Sequence, residues 1–135
     1  DICLVRIGIS APTEVQYSGA HNSLLVVNEL GEANVVKADR QPVGSWLREL
    51  PFTATNLEVS SGSRLFLYSD GMPDQFGGPN NAKLKTSGFN GLLVETSDMP
   101  LTEQGEWIKK FFTNWLNGGE QMDDVTVVGI APCRS

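Results

Sequence analysis

The stretch Arg64-Leu-Phe-Leu-Tyr-Ser-Asp-Gly-Met-Pro73 constrains this chain more than any other. An apolar run rich in aromatics stops abruptly at Ser69-Asp70-Gly71. Such a run reads as a buried strand that carries one carboxylate to its exposed end, with Gly71 letting the backbone turn beside it. Near the C-terminus the order is mirrored: Met122-Asp123-Asp124 precedes Val125-Thr-Val-Val-Gly-Ile130, another β-rich apolar run. Two buried strands with acidic tips can set carboxylates side by side, an arrangement that suits a hard divalent cation with its preference for oxygen ligands. A plainer reading competes. Asp-Gly after a strand is a common turn pair, and an Asp-Asp entry can be a solvated loop.

The rest of the chain punctuates into short strands and one clear helix. Ile2 to Ile9, Glu14 to Ser18, Ser23 to Asn28 and Ala33 to Ala38 are β-rich and separated by turn residues, which predicts an antiparallel meander. Asp39 to Pro51 reads as loop, and Thr53 to Val59 as a strand leading through Ser60-Ser-Gly-Ser63 into the run at Arg64. From Gly71 to Gly88 the glycines, prolines and asparagines predict a long loop. Long loops in compact domains are usually functional or mobile, and this one follows directly on Asp70. Asp74 and Gln75 within it are candidates for the border of a site. Phe89 to Thr96 suggests a short helix. Pro100 to Asn117 is the clear one, with Trp107, Ile108, Phe111, Phe112 and Trp115 at helical spacing, a stripe that belongs in a core. Pro100 suits its first turn and Gly118-Gly119 its end. Two or three helices against a mainly antiparallel sheet indicate an α+β fold.

Composition narrows the function classes. The chain has 135 residues, 40% hydrophobic and 19% charged, with a net charge of −6. That is one domain or less, with no basic patch of the kind a nucleic-acid surface presents. No apolar run approaches the roughly 18 residues that span a bilayer, so this segment is expected to make no membrane contact. Cys3 and Cys133 lie at opposite ends. Reduced thiols in a cytoplasmic protein are the favoured reading, with a disulfide between them left open. His21, the only histidine, reads as a turn residue in Gly19-Ala20-His21-Asn22 rather than a general acid.

In order along the chain, these segments resemble the metal-dependent serine/threonine protein phosphatases of the sporulation stage II protein E type. The matching residues are Tyr17-Ser18-Gly19-Ala20-His21-Asn22-Ser23-Leu24, Lys37-Ala38-Asp39-Arg40-Gln41-Pro42-Val43-Gly44, Ser69-Asp70-Gly71, Asp74-Gln75-Phe76-Gly77-Gly78-Pro79 and Asp123-Asp124-Val125-Thr126. They correspond to the later half of that family's catalytic domain. The earlier half, with its Asp-x-x-Gly-His-Gly-like segment, has no counterpart here. The resemblance therefore implies that residues 1–135 are the C-terminal portion of a SpoIIE-type phosphatase domain, half of an αββα sandwich.

The same resemblance implies the chemistry. Asp70 and Asp123 would be metal ligands, with Gly71 and Asp124 supporting them from behind and Asp74 and Gln75 at the border. The cofactor would be two Mn²⁺ or Mg²⁺ ions in the intact domain, weakly held or not held by this portion alone. The reaction would be hydrolysis of phosphoserine or phosphothreonine by metal-activated water, with no nucleophilic Cys or Ser. The substrate would be a phosphoprotein of bacterial signalling, antagonists of anti-sigma factors being one class. The portion alone is expected to be inactive. Two other readings stand beside it: a degenerate, non-catalytic phosphatase-like module that binds a phosphoprotein, and a structural domain with coincidental acidic tips. Half of a layered domain is also expected to expose apolar surface and a strand edge, and so to self-associate.

Overall fold

The computed structural model describes residues 1–44 and 50–132. Cys133 and the part of the Asp39–Pro51 loop at 45–49 lie outside the described residues. The described residues divide into two compact units, Asp1–Leu67 with 130–132, and Tyr68–Gly129.

The first unit is built on strands β1 (Ile2–Ile7), β2 (Glu14–Ala20), β3 (Leu24–Val27), β4 (Ala33–Val36), β5 (Thr55–Glu58) and β6 (Arg64–Tyr68), whose last residue opens the second unit. They do not form one meander. β2 pairs antiparallel with β1 and β5. β3 pairs antiparallel with β4 and β6 in a different sheet. The expected meander breaks between β2 and β3 because both are apolar on an inward face. A second sheet lets each face cover the other. Val15 and Tyr17 of β2, Leu24 of β3, Val59 and Leu65 form the buried centre, with Cys3, Val5, Ile7, Val26, Val36, Leu57, Leu67 and Ile130 packed around it.

The switch between sheets is made at His21, the turn residue, whose φ of 64° is left-handed. His21 Nδ1 lies 2.8 Å from Asp1 Oδ1, on the surface. The Tyr17 hydroxyl donates to the Asn22 carbonyl at 2.6 Å, and its burial pushes the phenol up to about 12. Gly19 is required here: a Cβ would sit 2.6 Å from the Asn22 oxygen and closer still to the Tyr17 hydroxyl. At the edge of its sheet, β1 leaves Ile2 and Leu4 exposed.

The second unit replaces the expected long loop with ordered structure. α1 (Gly71–Asp74) follows the β6 tip at once, and Pro73 fits because a first-turn N–H has no intrahelical partner. A hairpin of β7 (Phe76–Gly77) and β8 (Ala82–Lys83) leads into α2 (Lys85–Glu95), which starts four residues before Phe89. The Gly77-Gly78 pair signals close approach rather than disorder. A Cβ on Gly77 would stand 2.7 Å from the Trp115 carbonyl carbon, and the Gly78 N–H donates to the Trp115 carbonyl at 2.7 Å.

α3 (Leu101–Leu116) matches the expected helix and ends at Asn117 and Gly118, both left-handed. Its buried residues are Gln104 and Ile108. The Gln104 amide donates to the Leu93 carbonyl and to the Thr96 hydroxyl, which ties α3 to the end of α2. Trp107, Phe111 and Trp115 form a stacked ladder, centroids 5.6 and 5.8 Å apart, only half buried where the stripe predicts core. Tyr68 meets Phe89 edge to face at 4.9 Å. β9 (Val127–Ile130) is the last described strand, shorter than its apolar run. Among the described residues no helix is long and apolar enough to cross a membrane.

Candidate functional site

Ser69 stitches the tip of β6 to the segment that precedes β9. Its N–H donates to the Thr126 carbonyl at 3.0 Å. Its hydroxyl donates to the Asp124 carbonyl and accepts from the Thr126 N–H, each at 3.0 Å. Three hydrogen bonds through one small residue explain why serine stands before the aspartate: the hydroxyl both donates and accepts. On the other side of Asp70, Gly71 is pressed against the same segment. A Cβ there would lie 2.9 Å from the Asp124 carbonyl carbon and 3.2 Å from Val125 Cγ2. The φ of Gly71 is not left-handed. Glycine is needed for space, not for a turn.

Both neighbours of Asp70 thus touch the stretch Asp124–Thr126, and the two acidic tips come together as segments. Asp70 stands at the N-terminal boundary of α1, yet its side chain makes no capping bond, and among the described residues its exposed carboxylate takes no hydrogen bond. The fold does not consume it. Asp123 Oδ1 accepts the Asp124 N–H at 2.7 Å, which ties this exposed carboxylate to the backbone, and its second oxygen takes no hydrogen bond among the described residues. Asp124 acts through its backbone: its carbonyl takes the Ser69 hydroxyl, and its exposed carboxylate has no hydrogen-bond partner among the described residues. Asp74 is engaged elsewhere. Its carboxylate pairs with Lys83 Nζ at 3.1 Å, and that ammonium lies 5.8 Å from the Phe76 ring centroid. The Asp74 N–H donates to the Asp70 carbonyl at 2.8 Å, so Asp74 borders Asp70 through backbone.

Gln75, expected as a border residue, is instead buried, at 2% exposed. Its carbonyl accepts from Trp115 Nε1 and from the Leu84 N–H, and its side-chain amide reaches the segment before Asp123. A polar residue between α1 and a Phe-Gly-Gly turn carries no sequence signal of burial. The adjoining glycine pair, a mark of close backbone approach, is the nearest hint.

The donor set suits a hard divalent cation in kind: exposed carboxylates, of which those of Asp70 and Asp124 and one oxygen of Asp123 take no hydrogen bond among the described residues. In number it supplies part of a coordination sphere. Among the described residues no group of three or more His, Cys, Asp or Glu side chains is placed to hold a metal ion.

A family model described as Stage II sporulation protein E (SpoIIE) matches residues 3–131. No curated protein sequence matches the chain. Among solved structures, the chain is similar to the SiaA-PP2C domain of Pseudomonas aeruginosa, with 23% identity and a TM-score of 0.80 over 89% of this chain and 47% of that one. It is similar to the structure of the RsbU and RsbW domains of Rv1364c from Mycobacterium tuberculosis, with 22% identity and a TM-score of 0.72 over 94% of this chain and 34% of that one. It is also similar to the phosphatase domain of the cell fate determinant SpoIIE from Bacillus subtilis, with 14% identity and a TM-score of 0.70 over 98% of this chain and 58% of that one. At these identities the likeness shows the α+β phosphatase fold. The chain spans between a third and three fifths of the length of these structures.

Proposed function

We propose a function from one premise: the chain belongs to the stage II sporulation protein E family. It is the C-terminal portion of a metal-dependent protein serine/threonine phosphatase domain, and its substrate is a phosphoserine or phosphothreonine on a bacterial signalling protein. Similarity to a SiaA-PP2C domain, to RsbU and RsbW domains and to the phosphatase domain of a cell fate determinant supports a regulatory phosphoprotein, with antagonists of anti-sigma factors as one candidate class.

Asp70 and Asp123 are the residues that would hold Mn²⁺ or Mg²⁺, with the remaining ligands supplied from outside these 135 residues. A divalent pair bound there supplies positive charge against the phosphoryl oxygens and acidifies water for in-line attack. Everything else is done by the chain. Ser69 holds the two tips in register through three hydrogen bonds. Gly71 leaves room for the Asp124 carbonyl, and the Asp124 N–H holds one oxygen of Asp123. Among the described residues no basic side chain pairs with the Asp70 carboxylate, which keeps its charge available to a cation.

One observation carries the proposal: an exposed aspartate that caps nothing and, among the described residues, pairs with nothing, locked on both sides to the segment bearing a second aspartate. The test is hydrolysis of a phosphoserine peptide by the protein that carries this chain together with its preceding region. Asp70→Asn and Asp123→Asn are each expected to lower the Mn²⁺-dependent rate by orders of magnitude, because each removes a charged ligand while keeping the shape. A protein that hydrolyses the peptide equally well with either substitution overturns the assignment.

A further inference from the structure

Gln75 has the connections of a clamp. Its side chain is almost wholly buried, yet it sits in a segment with few apolar neighbours in sequence. Nε2 donates to the Phe76 carbonyl at 2.9 Å and to the Glu120 carbonyl at 3.0 Å. Oε1 accepts the Met122 N–H at 3.1 Å. Both amide protons and an oxygen lone pair are used, and the partners fix which end is which: two carbonyls face the nitrogen and one N–H faces the oxygen. Two of these bonds land on Glu120 and Met122, the residues that lead into Asp123. The backbone of Gln75 is held in turn by Trp115 Nε1 at 3.1 Å and the Leu84 N–H at 3.2 Å, and its own N–H reaches the Met72 carbonyl in α1.

Glu120, Gln121 and Met122 are exposed, and they follow the glycines that end α3. Little apolar burial holds them. Besides the amide of Gln75 and a local bond from Gln121 Nε2 to the Asp123 carbonyl, the described bonds that tie this stretch to other segments lie downstream, at Asp124 and Thr126 through Ser69. With it, Asp123 is anchored on both sides. We propose that Gln75 is a positioning residue, which holds the 120–122 segment so that the Asp123 carboxylate stands where a divalent cation shared with Asp70 can use it. This rests on the reading of Asp70 and Asp123 as metal ligands. The chemistry demanded is specific to an amide. A carboxylate in its place would set oxygen against two carbonyl oxygens, and an apolar side chain would offer neither the two carbonyls nor the Met122 N–H a partner.

The experiment is calorimetric titration of Mn²⁺ into the protein that carries this chain, comparing Gln75→Glu, Asp70→Ala and Gln104→Glu. Gln104 is a second buried glutamine with the same donor chemistry, but its described bonds go to Leu93 and Thr96, away from Asp123. Gln75→Glu is expected to weaken Mn²⁺ by roughly tenfold or more, in the range seen when partners that orient metal ligands are lost. Gln104→Glu is expected to leave affinity within about twofold. If Asp70→Ala leaves Mn²⁺ binding intact, the metal reading itself fails. If Asp70→Ala weakens binding and Gln75→Glu does not, only the positioning role fails. Equal weakening by both glutamine variants also overturns it, since that marks a general loss of structure. Amide exchange in the unsubstituted protein stands whether or not the variants fold. The Met122 N–H should exchange at least tenfold more slowly than that of exposed Gln121, and equal rates would show that the clamp does not close.

Discussion

Gly71→Ala inserts one methyl group where the two acidic tips meet. The added Cβ would lie 2.9 Å from the Asp124 carbonyl carbon and 3.2 Å from Val125 Cγ2, and nearer still to the Asp124 oxygen. Carbon atoms in ordinary contact are about 3.5 Å apart or more, so the carbonyl carbon must retreat by roughly 0.6 Å. The obstacle is backbone and cannot swing aside as a side chain would. The Asp124 oxygen is also the acceptor of the Ser69 hydroxyl at 3.0 Å. A retreat of that size stretches the bond beyond useful length and forfeits about 1 kcal/mol. Overpacking adds about 1–3 kcal/mol, for an expected loss of about 2–4 kcal/mol. Urea unfolding measures it, with Gly105→Ala as the control. Gly105 lies inside α3 with nothing near its missing Cβ, so the same substitution there should stabilise by about 0.5–1 kcal/mol. Gly71→Ala should also weaken Mn²⁺, because the displaced carbonyl belongs to the residue after Asp123. A Gly71→Ala protein as stable as its parent, or no less stable than the Gly105→Ala protein, would show that the tips are not in contact as described.

Gly19→Ala is expected to cost about 2 kcal/mol or more in the same urea assay, since its Cβ would meet the Tyr17 hydroxyl and the Asn22 carbonyl that this hydroxyl bonds. Stability should fall in alkali. Burial pushes the Cys3 thiol from 9.0 up to about 11 and the Tyr17 phenol from 10.0 up to about 12, so the unfolded chain loses these protons first. Their contribution is complete below about pH 9 and is lost as pH rises through 11 and 12, the reverse of a carboxylate's behaviour. Urea midpoints that rise between pH 9 and 11 would contradict this, and Cys3→Ser should remove the earlier part of the fall.

The strands and the last helix were legible because their physics is local. Alternation in Ile2–Ile7 and Glu14–Ala20 puts Cys3, Val5, Ile7, Val15 and Tyr17 on one face, and period-3.6 spacing fixes α3. Sheet membership was not legible. Turn residues between β2 and β3 look alike whether the chain folds back in its own sheet or crosses to another, and the decision lies in the burial of Leu24 against partners far away in sequence, Val59 and Leu65 among them. The stretch from Gly71 to Gly88 misled for a related reason. Glycine marks a turn when it supplies a left-handed φ, as at Gly78, and close packing when it supplies absence, as at Gly71 and Gly77. A sequence shows the glycine but not which of the two it serves.

The same distinction explains how far the site could be read. Asp70 and Asp123 stand out because carboxylates at the ends of apolar runs are costly to ignore. Their meeting as segments follows from Ser69, whose hydroxyl has both roles a hydrogen bond needs. What stood outside a sequence reading was the support: Gln75 can be mistaken for a loop residue, because nothing in Asp74-Gln75-Phe76 tells that its amide is enclosed. Enclosure comes from the carbonyls of Phe76 and Glu120 and the N–H of Met122, backbone groups that every residue possesses. The acidic residues thus announce the chemistry, while the geometry that would make it work is written in backbone contacts. Substitutions at Ser69, Gly71 and Gln75 should therefore disturb cation binding while leaving both carboxylates in place.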